Sequence, residues 1–422
     1  MSSRSNLATT QVIAFVASLL VAAVPSAAAD RSLPARPGEG AASKLRLPLA
    51  LRLPRIVTFD DSRIGHPTVS YKDQEFLVDE RLMVWQDGDE GIWVCRYDPQ
   101  SGDLVPADGR GQFVATGAPL LPPGDTRKSV INGPEFGLSR RGVGVYFCVS
   151  DGDESHDYQI ARAWLSDGDV QILAPGLTRG VLGLLPSLDK SDPEARVLYG
   201  GLTSLAEGLA GDSITEWFEE NDPATLEPFP HSAVGSSGSR WIPNERAILT
   251  NMFDGDGVAQ IARYEIDTHV TTSLTTGPNP KIDAILFEAP EFRNERIFNC
   301  VVDSRSICVF RAQEPYWECI LRIRPPESSQ SDPALAVSSA EPVIYRGETF
   351  FTYVAHYAGG VSRVCLASLD GQVNSWISPS GSLRVMDPEA VPTDGRLLVY
   401  YWTLPNAEGV NELHLSRVSL WP

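Results

Sequence analysis

Acidic side chains recur beside a short proline-containing phrase, and they are the residues in this chain best suited to chemistry. The phrase reads Gly133-Pro134-Glu135-Phe136, then Ala289-Pro290-Glu291-Phe292, then Asp387-Pro388-Glu389-Ala390. Glu341, immediately before Pro342, is a further acid of the same kind. Carboxylates held close together raise one another's pKa or recruit a cation. Such a set can bind a divalent cation such as calcium, hold a cationic ligand, or work as an acid/base pair. The alternative is structural: each acid accepts from backbone donors of a neighbouring repeat and recurs because the repeat recurs. Among the six histidines, His66 opens the first repeat and is the one best placed to act as a general base or metal ligand. The candidate site residues are therefore Glu135, Glu291, Asp387, Glu389 and His66.

Other constellations are weaker. Asp87-Gly88-Asp89-Glu90, Asp151-Gly152-Asp153-Glu154 and Asp254-Gly255-Asp256 recur between second and third strands. Asp-Gly suits a tight hairpin turn, because Gly accepts positive φ and Asp bonds nearby amides. These loops lack the twelve-residue EF-hand pattern. The six cysteines have no CxxC spacing, which argues against zinc. Cys300 and Cys308 flank a turn and can face each other across a hairpin, or all six can be buried free thiols. There is no Gly-x-Ser-x-Gly elbow, P-loop or dinucleotide fingerprint. No organic cofactor is expected.

The elements that must position these acids are strands. Val143 to Val149, Ile297 to Val302, Phe350 to Val354 and Leu397 to Trp402 are rich in β-branched and aromatic residues. Ser204 to Glu220 is the one stretch with a helical aspect, weakened by Gly208 and Gly211. Opening positions Pro67, Pro134, Pro186, Ser239, Pro290, Pro342 and Pro388 recur at about 50-residue spacing, within the range of β-sheet blades. Short meanders cannot bury both faces alone, whereas a ring of them can. The expectation is an all-β propeller of seven blades, with six or eight also compatible. An N-terminal strap, Leu45 to Phe59, would close it against the last blade.

The chain's ends and charge narrow the setting. Arg4, the apolar run Val12 to Val24 and Ala27-Ala28-Ala29 read as a signal peptide over residues 1–29. Residues 30–44 read as a Pro/Gly/Ala linker, and 45–422 as a single propeller domain. The protein is expected to be exported, periplasmic or secreted, with no membrane span. With 35 Lys and Arg against 54 Asp and Glu, the formal net charge is −19. No basic run offers a polyanion a surface, so nucleic acid is excluded as a partner.

Trp241-Ile242-Pro243-Asn244-Glu245-Arg246, Asp254-Gly255-Asp256-Gly257, Gln260-Ile261-Ala262-Arg263-Tyr264 and Leu274-Thr275-Thr276 together resemble a TolB-like propeller blade. The repeat type is the WD40-like Pro-Asp repeat, and Pro392-Thr393-Asp394-Gly395 resembles its turn. The resemblance implies a fold that serves binding proteins, scaffolds and enzyme-attached domains. Two functions remain open. One is a binding or scaffold module that meets a protein or glycan at one mouth of the ring. The other is a carbohydrate-active enzyme, a glycosidase or polysaccharide lyase, using the channel carboxylates. For that second reading, Asp387-Pro388 is similar to the Asp-Pro opening of five-bladed furanosidases, where the motif belongs to the first blade. The oligomeric state is left open.

Overall fold

Val, Ile, Phe and Tyr dominate the apolar runs, and in the computed structural model of the protein these runs become antiparallel strands separated by polar turns. The chain divides into two units, Met1–Leu53 and Pro54–Pro422. The structure describes residues 55–88, 91–115, 130–150, 159–168, 170–174, 181–190, 195–202, 213–219, 222–228, 239–313, 316–327, 334–381 and 384–421. The expected signal peptide, the linker, the first part of the strap, the turn Asp151 to Glu154 and residues 204–212 lie outside them.

The described strands form seven sheets, six of four strands and one of five, arranged as a β-propeller. We number the sheets I to VII in chain order. Their inner strands are Tyr71–Leu77, Val130–Ser139, Val181–Pro186, Arg240–Trp241, Lys281–Ala289, Ala336–Tyr345 and Val385–Pro392. The core is distributed around the ring. Seven apolar clusters each lie between two consecutive sheets, so every sheet covers its neighbour. Between sheets I and II, Val84 and Ile92 meet Val145 and Phe147. Between VII and I, Leu398 and Tyr400 meet Tyr71 and Trp85, which completes the circle. Each such large side chain, fully buried, contributes about 1.5–3 kcal/mol.

Closure follows from the first described strand. Ile56–Ile64 is the outermost strand of sheet VII and pairs antiparallel with Leu413–Trp421, from Ile56 opposite Trp421 to Ile64 opposite Leu413. The expected N-terminal strap thus closes the ring, but the pairing strand runs five residues beyond Phe59 to Ile64. The amino-terminal strand covers the edge that Leu413–Trp421 would otherwise present, with a strand rich in charged residues on its outside.

Two expectations need correcting. The stretch with a helical aspect contains the strand Ser213–Glu219 of sheet III. Its run Ile214-Thr215-Glu216-Trp217-Phe218 has the β-branched and aromatic content that favours strand, and pairing partners on both sides override any helical tendency. The phrase Ala289-Pro290-Glu291-Phe292 does not open a sheet. It closes the inner strand of sheet V with a short 3-10 turn. Cys300 and Cys308 are direct cross-strand partners as expected, and both are buried free thiols. Among the described residues no helix is long and apolar enough to cross a membrane.

Candidate functional site: the acidic channel

One backbone device, repeated in five inner strands, aims the acids. In sheets I, II, V, VI and VII the register with the second strand slips between residues 72 and 75, 132 and 135, 282 and 285, 338 and 341, and 386 and 389. At each slip two residues of the inner strand oppose one of its neighbour, which is a β-bulge. The first bulge residue is left-handed in every case: Asp73, Gly133, Asp283, Ser339 and Asp387, with φ between 45° and 59°. Gly, Asp and Ser tolerate that region better than bulky residues do. The second bulge residue has no ladder partner for its N–H, so proline costs nothing there, and Pro134 and Pro388 occupy it. Two residues after the left-handed one comes the acid: Glu75, Glu135, Glu341 and Glu389, with Ile285 taking that place in sheet V.

The bulges also interlock. Asn299 of sheet V donates through Nδ2 to Ala340 O of sheet VI at 2.9 Å, and Thr352 of sheet VI donates to Pro388 O of sheet VII at 3.4 Å. Gln74 donates through Nε2 to Asp387 O at 2.6 Å, joining sheet I to sheet VII. The Gly133 amide donates to the Asp73 carboxylate, joining II to I. The bulge carbonyls are therefore held by side chains of the neighbouring sheet, which fixes the direction of the acids beside them.

Among the described residues, seven carboxylates share the channel: Asp73, Glu75, Glu135, Asp283, Glu341, Asp387 and Glu389. Facing them is Arg240, on the short inner strand of sheet IV, with Nη2 3.3 Å from Glu341 Oε1. Glu135, Asp283 and Glu75 lie within its field as well. At the other side of the channel Glu75, Asp387 and Glu389 each offer an oxygen, and these atoms lie within 4.8 Å of one another.

The electrostatics follow from crowding. Burial pushes the carboxyl of Glu75 well above its ordinary value, and the charges of Glu135, Glu389, Asp387 and Glu341 push it further. Glu389 is raised in the same way, by burial and then by Glu341, Asp387 and Glu135. Burial also raises Glu135, with Arg240 opposing and Asp387 and Glu341 adding. Asp73 and Asp283 are raised by burial. Asp387 is pushed up to about 7, by burial first and then by Asp73 and Glu341. At neutral pH this set either keeps protons or takes up positive charge.

Of the candidates named from sequence, Glu135, Asp387 and Glu389 meet in the channel together with Glu341. Glu291 and His66 do not. Glu291 sits in the 3-10 turn after the inner strand of sheet V, where its oxygens accept from Thr349 N at 2.6 Å and Thr349 Oγ1 at 2.8 Å in sheet VI. Its phrase matches the others only in letters, because the bulge of sheet V lies at Asp283-Ala284, six residues earlier. His66 lies in the exposed connection between the closing strand and sheet I, not on an inner strand, with Nδ1 3.0 Å from Thr68 Oγ1. Sequence reasoning missed Asp73, Glu75, Asp283 and Arg240. The signal that would have found Glu75 is the spacing left-handed residue, any residue, Glu, which Asp73-Gln74-Glu75 shares with Asp387-Pro388-Glu389. The third acidic turn is a turn: Asp254 Oδ1 accepts from Asp256 N at 3.0 Å and Val258 N at 2.9 Å.

Fold and site together define a β-propeller with an acidic channel. No family model matches the sequence, and no curated protein matches it. Solved structures similar to it include a prolyl endopeptidase, at 13% identity over 84% of this chain and 50% of that one, with a TM-score of 0.49. Trypanosoma rangeli sialidase with the inhibitor DANA is similar at 13% identity over 68% of this chain and 54% of that one, TM-score 0.43. TolB from Acinetobacter baumannii is similar at 12% identity over 88% of this chain and 82% of that one, TM-score 0.37. The chain spans about half the length of the first two. None of these likenesses carries an argument about activity.

Proposed function

We propose that the protein is an exported binding module whose channel takes up a cation, and whose loops at one mouth meet a protein or glycan partner. The observation that carries the reading is the spacing of Glu75, Asp387 and Glu389. Oxygens bound to one calcium ion lie about 2.3–2.6 Å from it, so two of them are at most about 5 Å apart. The 4.8 Å limit on the three carboxylate oxygens fits that requirement. Three carboxylates supply up to six oxygens, near the number calcium takes. When bound, the ion would neutralise the carboxylates and tie sheet I to sheet VII. A TolB-like repeat and export through the leader at residues 1–29 belong to the same reading. The direct test is calorimetric titration with calcium, on wild type and on Glu75→Gln and Glu389→Gln. Calcium binding that either substitution weakens supports the reading, and no heat with wild type at millimolar calcium sinks it.

A second reading has its own observation. Asp387, pushed up to about 7, stands within reach of Glu75 and Glu389, and one protonated and one ionised carboxyl about 5 Å apart is the arrangement of retaining glycoside hydrolysis. One of the glutamates, each raised well above its ordinary value, would be the acid and Asp387 the nucleophile. Release of phenol from a panel of aryl furanosides and pyranosides, lost in Asp387→Asn, would support the enzyme. No turnover on any of them leaves binding as the function.

A further inference from the structure

The seam where the ring closes holds a second charged cluster, separate from the channel. Asp61, on the closing strand Ile56–Ile64, has a side chain only 6% exposed. It accepts from Tyr401 Oη at 2.5 Å, Ser416 Oγ lies 2.7 Å from the same oxygen, and its other oxygen is 3.0 Å from His414 Nδ1. The second ring nitrogen of His414, Nε2, faces Glu412 Oε2 at 3.3 Å. Glu412 in turn binds Arg63 Nη1 at 2.8 Å and Asn406 Nδ2 at 3.1 Å. The Tyr401 ring stacks on the imidazole, with centroids 5.3 Å apart and planes 19° from parallel.

Among the described residues, these are the charged and titratable groups that face His414 from the elements packed on it. The closing strand brings Asp61 and Arg63, and Arg63 is the register partner of His414. The strand Leu397–Thr403 brings Tyr401, whose hydroxyl is raised by burial and by Asp61. Glu412 comes from the loop just before the last strand. Arg417, on the strand of His414 itself, is turned away to Ser62 Oγ at 2.7 Å, Ser101 O at 2.5 Å and Asp103 Oδ1 at 2.9 Å.

A neutral imidazole has one N–H and one lone pair. Between two carboxylates, one of its nitrogens would then set a lone pair against another lone pair. The imidazolium donates to both, so the arrangement is complete only when His414 carries a proton. We propose that this seam is a pH-sensitive latch, in which the proton held by His414 between Asp61 and Glu412 ties the amino-terminal strand to the ring, and its loss loosens that strand.

The direction follows from linkage. Burial disfavours the charged ring, but the hydrogen bonds and charges of Asp61 and Glu412 outweigh it, and the pKa of His414 is raised above 6.5. A raised pKa in the folded state means the folded protein holds the proton more tightly than the unfolded chain. The stabilisation is complete below the unfolded value and fades as pH climbs through the folded one. The latch is therefore tight in mild acid and loosens above neutrality.

Native-state hydrogen exchange of the intact protein reads this directly, with rates corrected for intrinsic pH dependence, at about pH 6 and about pH 9. The expected result is a fall in protection of the amides of Ile56–Ile64, by about tenfold for each pKa unit that His414 is raised. Protection is taken relative to the strand Ala259–Glu265 of sheet IV, which lies away from the seam, so that any change in global stability from the channel carboxylates cancels. In His414→Gln the pH dependence of the closing strand disappears. Glu412→Gln, which keeps the Asp61 bond and tests the idea should His414→Gln fail to fold, reduces it. Equal protection of the closing strand at both pH values in wild type overturns the proposal, as does a pH dependence that survives in His414→Gln.

Discussion

Replacing Asp387 by asparagine is the sharpest probe of the channel. Asn keeps the shape and accepts the left-handed backbone found at this position, where φ is 52°. It removes one charge from a crowded set. Asp387 rises from an ordinary 3.8 to about 7 in the folded protein, roughly three units. Each unit corresponds to about 1.36 kcal/mol, which sets an upper figure of about 4 kcal/mol for the cost of ionising this carboxyl in place. Neighbours that share the proton, and water in the channel, reduce it, so about 2–4 kcal/mol is expected. Because the folded value is raised, the contribution of Asp387 to stability is complete below about pH 4 and lost as pH rises through about 7. The variant has no such loss. Urea unfolding of both proteins from pH 5 to pH 8.5 should show Asp387→Asn gaining on wild type as pH rises and exceeding it above neutrality. Taking the difference between the two cancels the carboxylates remote from the channel and leaves Asp387 with the neighbours that share its proton. Under the proposed cation binding, saturating calcium should close the gap from the wild-type side, because the ion's charge would offset that of Asp387. Parallel pH profiles, or a variant less stable than wild type at pH 8.5, would refute the crowding argument.

Other outcomes follow from the same geometry. Glu291→Gln should destabilise the protein by about 1.5–3 kcal/mol in urea unfolding at neutral pH, with no change in calcium response, because its carboxylate serves Thr349 of the next sheet. Arg240→Gln removes the guanidinium that faces Glu341 and should enlarge any calcium-dependent rise in Tm while lowering metal-free stability; an unchanged calcium response would argue that Arg240 stands apart from the proposed cation site. Deleting the chain through Ile64 strips sheet VII of its outer strand, and light scattering should report aggregation; a monodisperse deletion variant with wild-type melting would contradict closure by this strand. Amino-terminal sequencing of protein from its native host should begin at or near Asp30, and a retained Val12 to Val24 run would contradict export.

The propeller was legible because its strands announce themselves: Val143 to Val149 and Leu397 to Trp402 are β-branched and aromatic, and Asp-Gly turns separate them. Closure by the N-terminal strap was legible from the same pattern, although its limits were not, since Asp60, Asp61, Ser62 and Arg63 end the apolar run. They are strand because the outermost position leaves one edge in water, and because Asp61 finds partners in Tyr401, Ser416 and His414. The channel acids were half legible. Glu135, Glu341, Asp387 and Glu389 stood out beside prolines, but the bulge does not require proline, so Asp73-Gln74-Glu75 went unseen. Proline was also misleading, since Pro290 begins a 3-10 turn and drew Glu291 into a set to which it does not belong. Arg240 gave no signal at all. Its strand is two residues long, and its role depends on charges brought from four other sheets.

Ile285 has a consequence for how such a ring changes over time. It occupies the place held by glutamate in sheets I, II, VI and VII, yet the sheet V bulge keeps its register slip and its left-handed residue. Three of the interlocks between sheets use the bulge carbonyls Ala340 O, Pro388 O and Asp387 O, and the glutamates that follow take no part in them. Scaffold and payload are thus separable. Each bulge is a socket whose fitting can be exchanged while the socket stays whole. A ring of sockets lets the lining of the channel drift from anionic to neutral to cationic by single substitutions, without the frame being rebuilt.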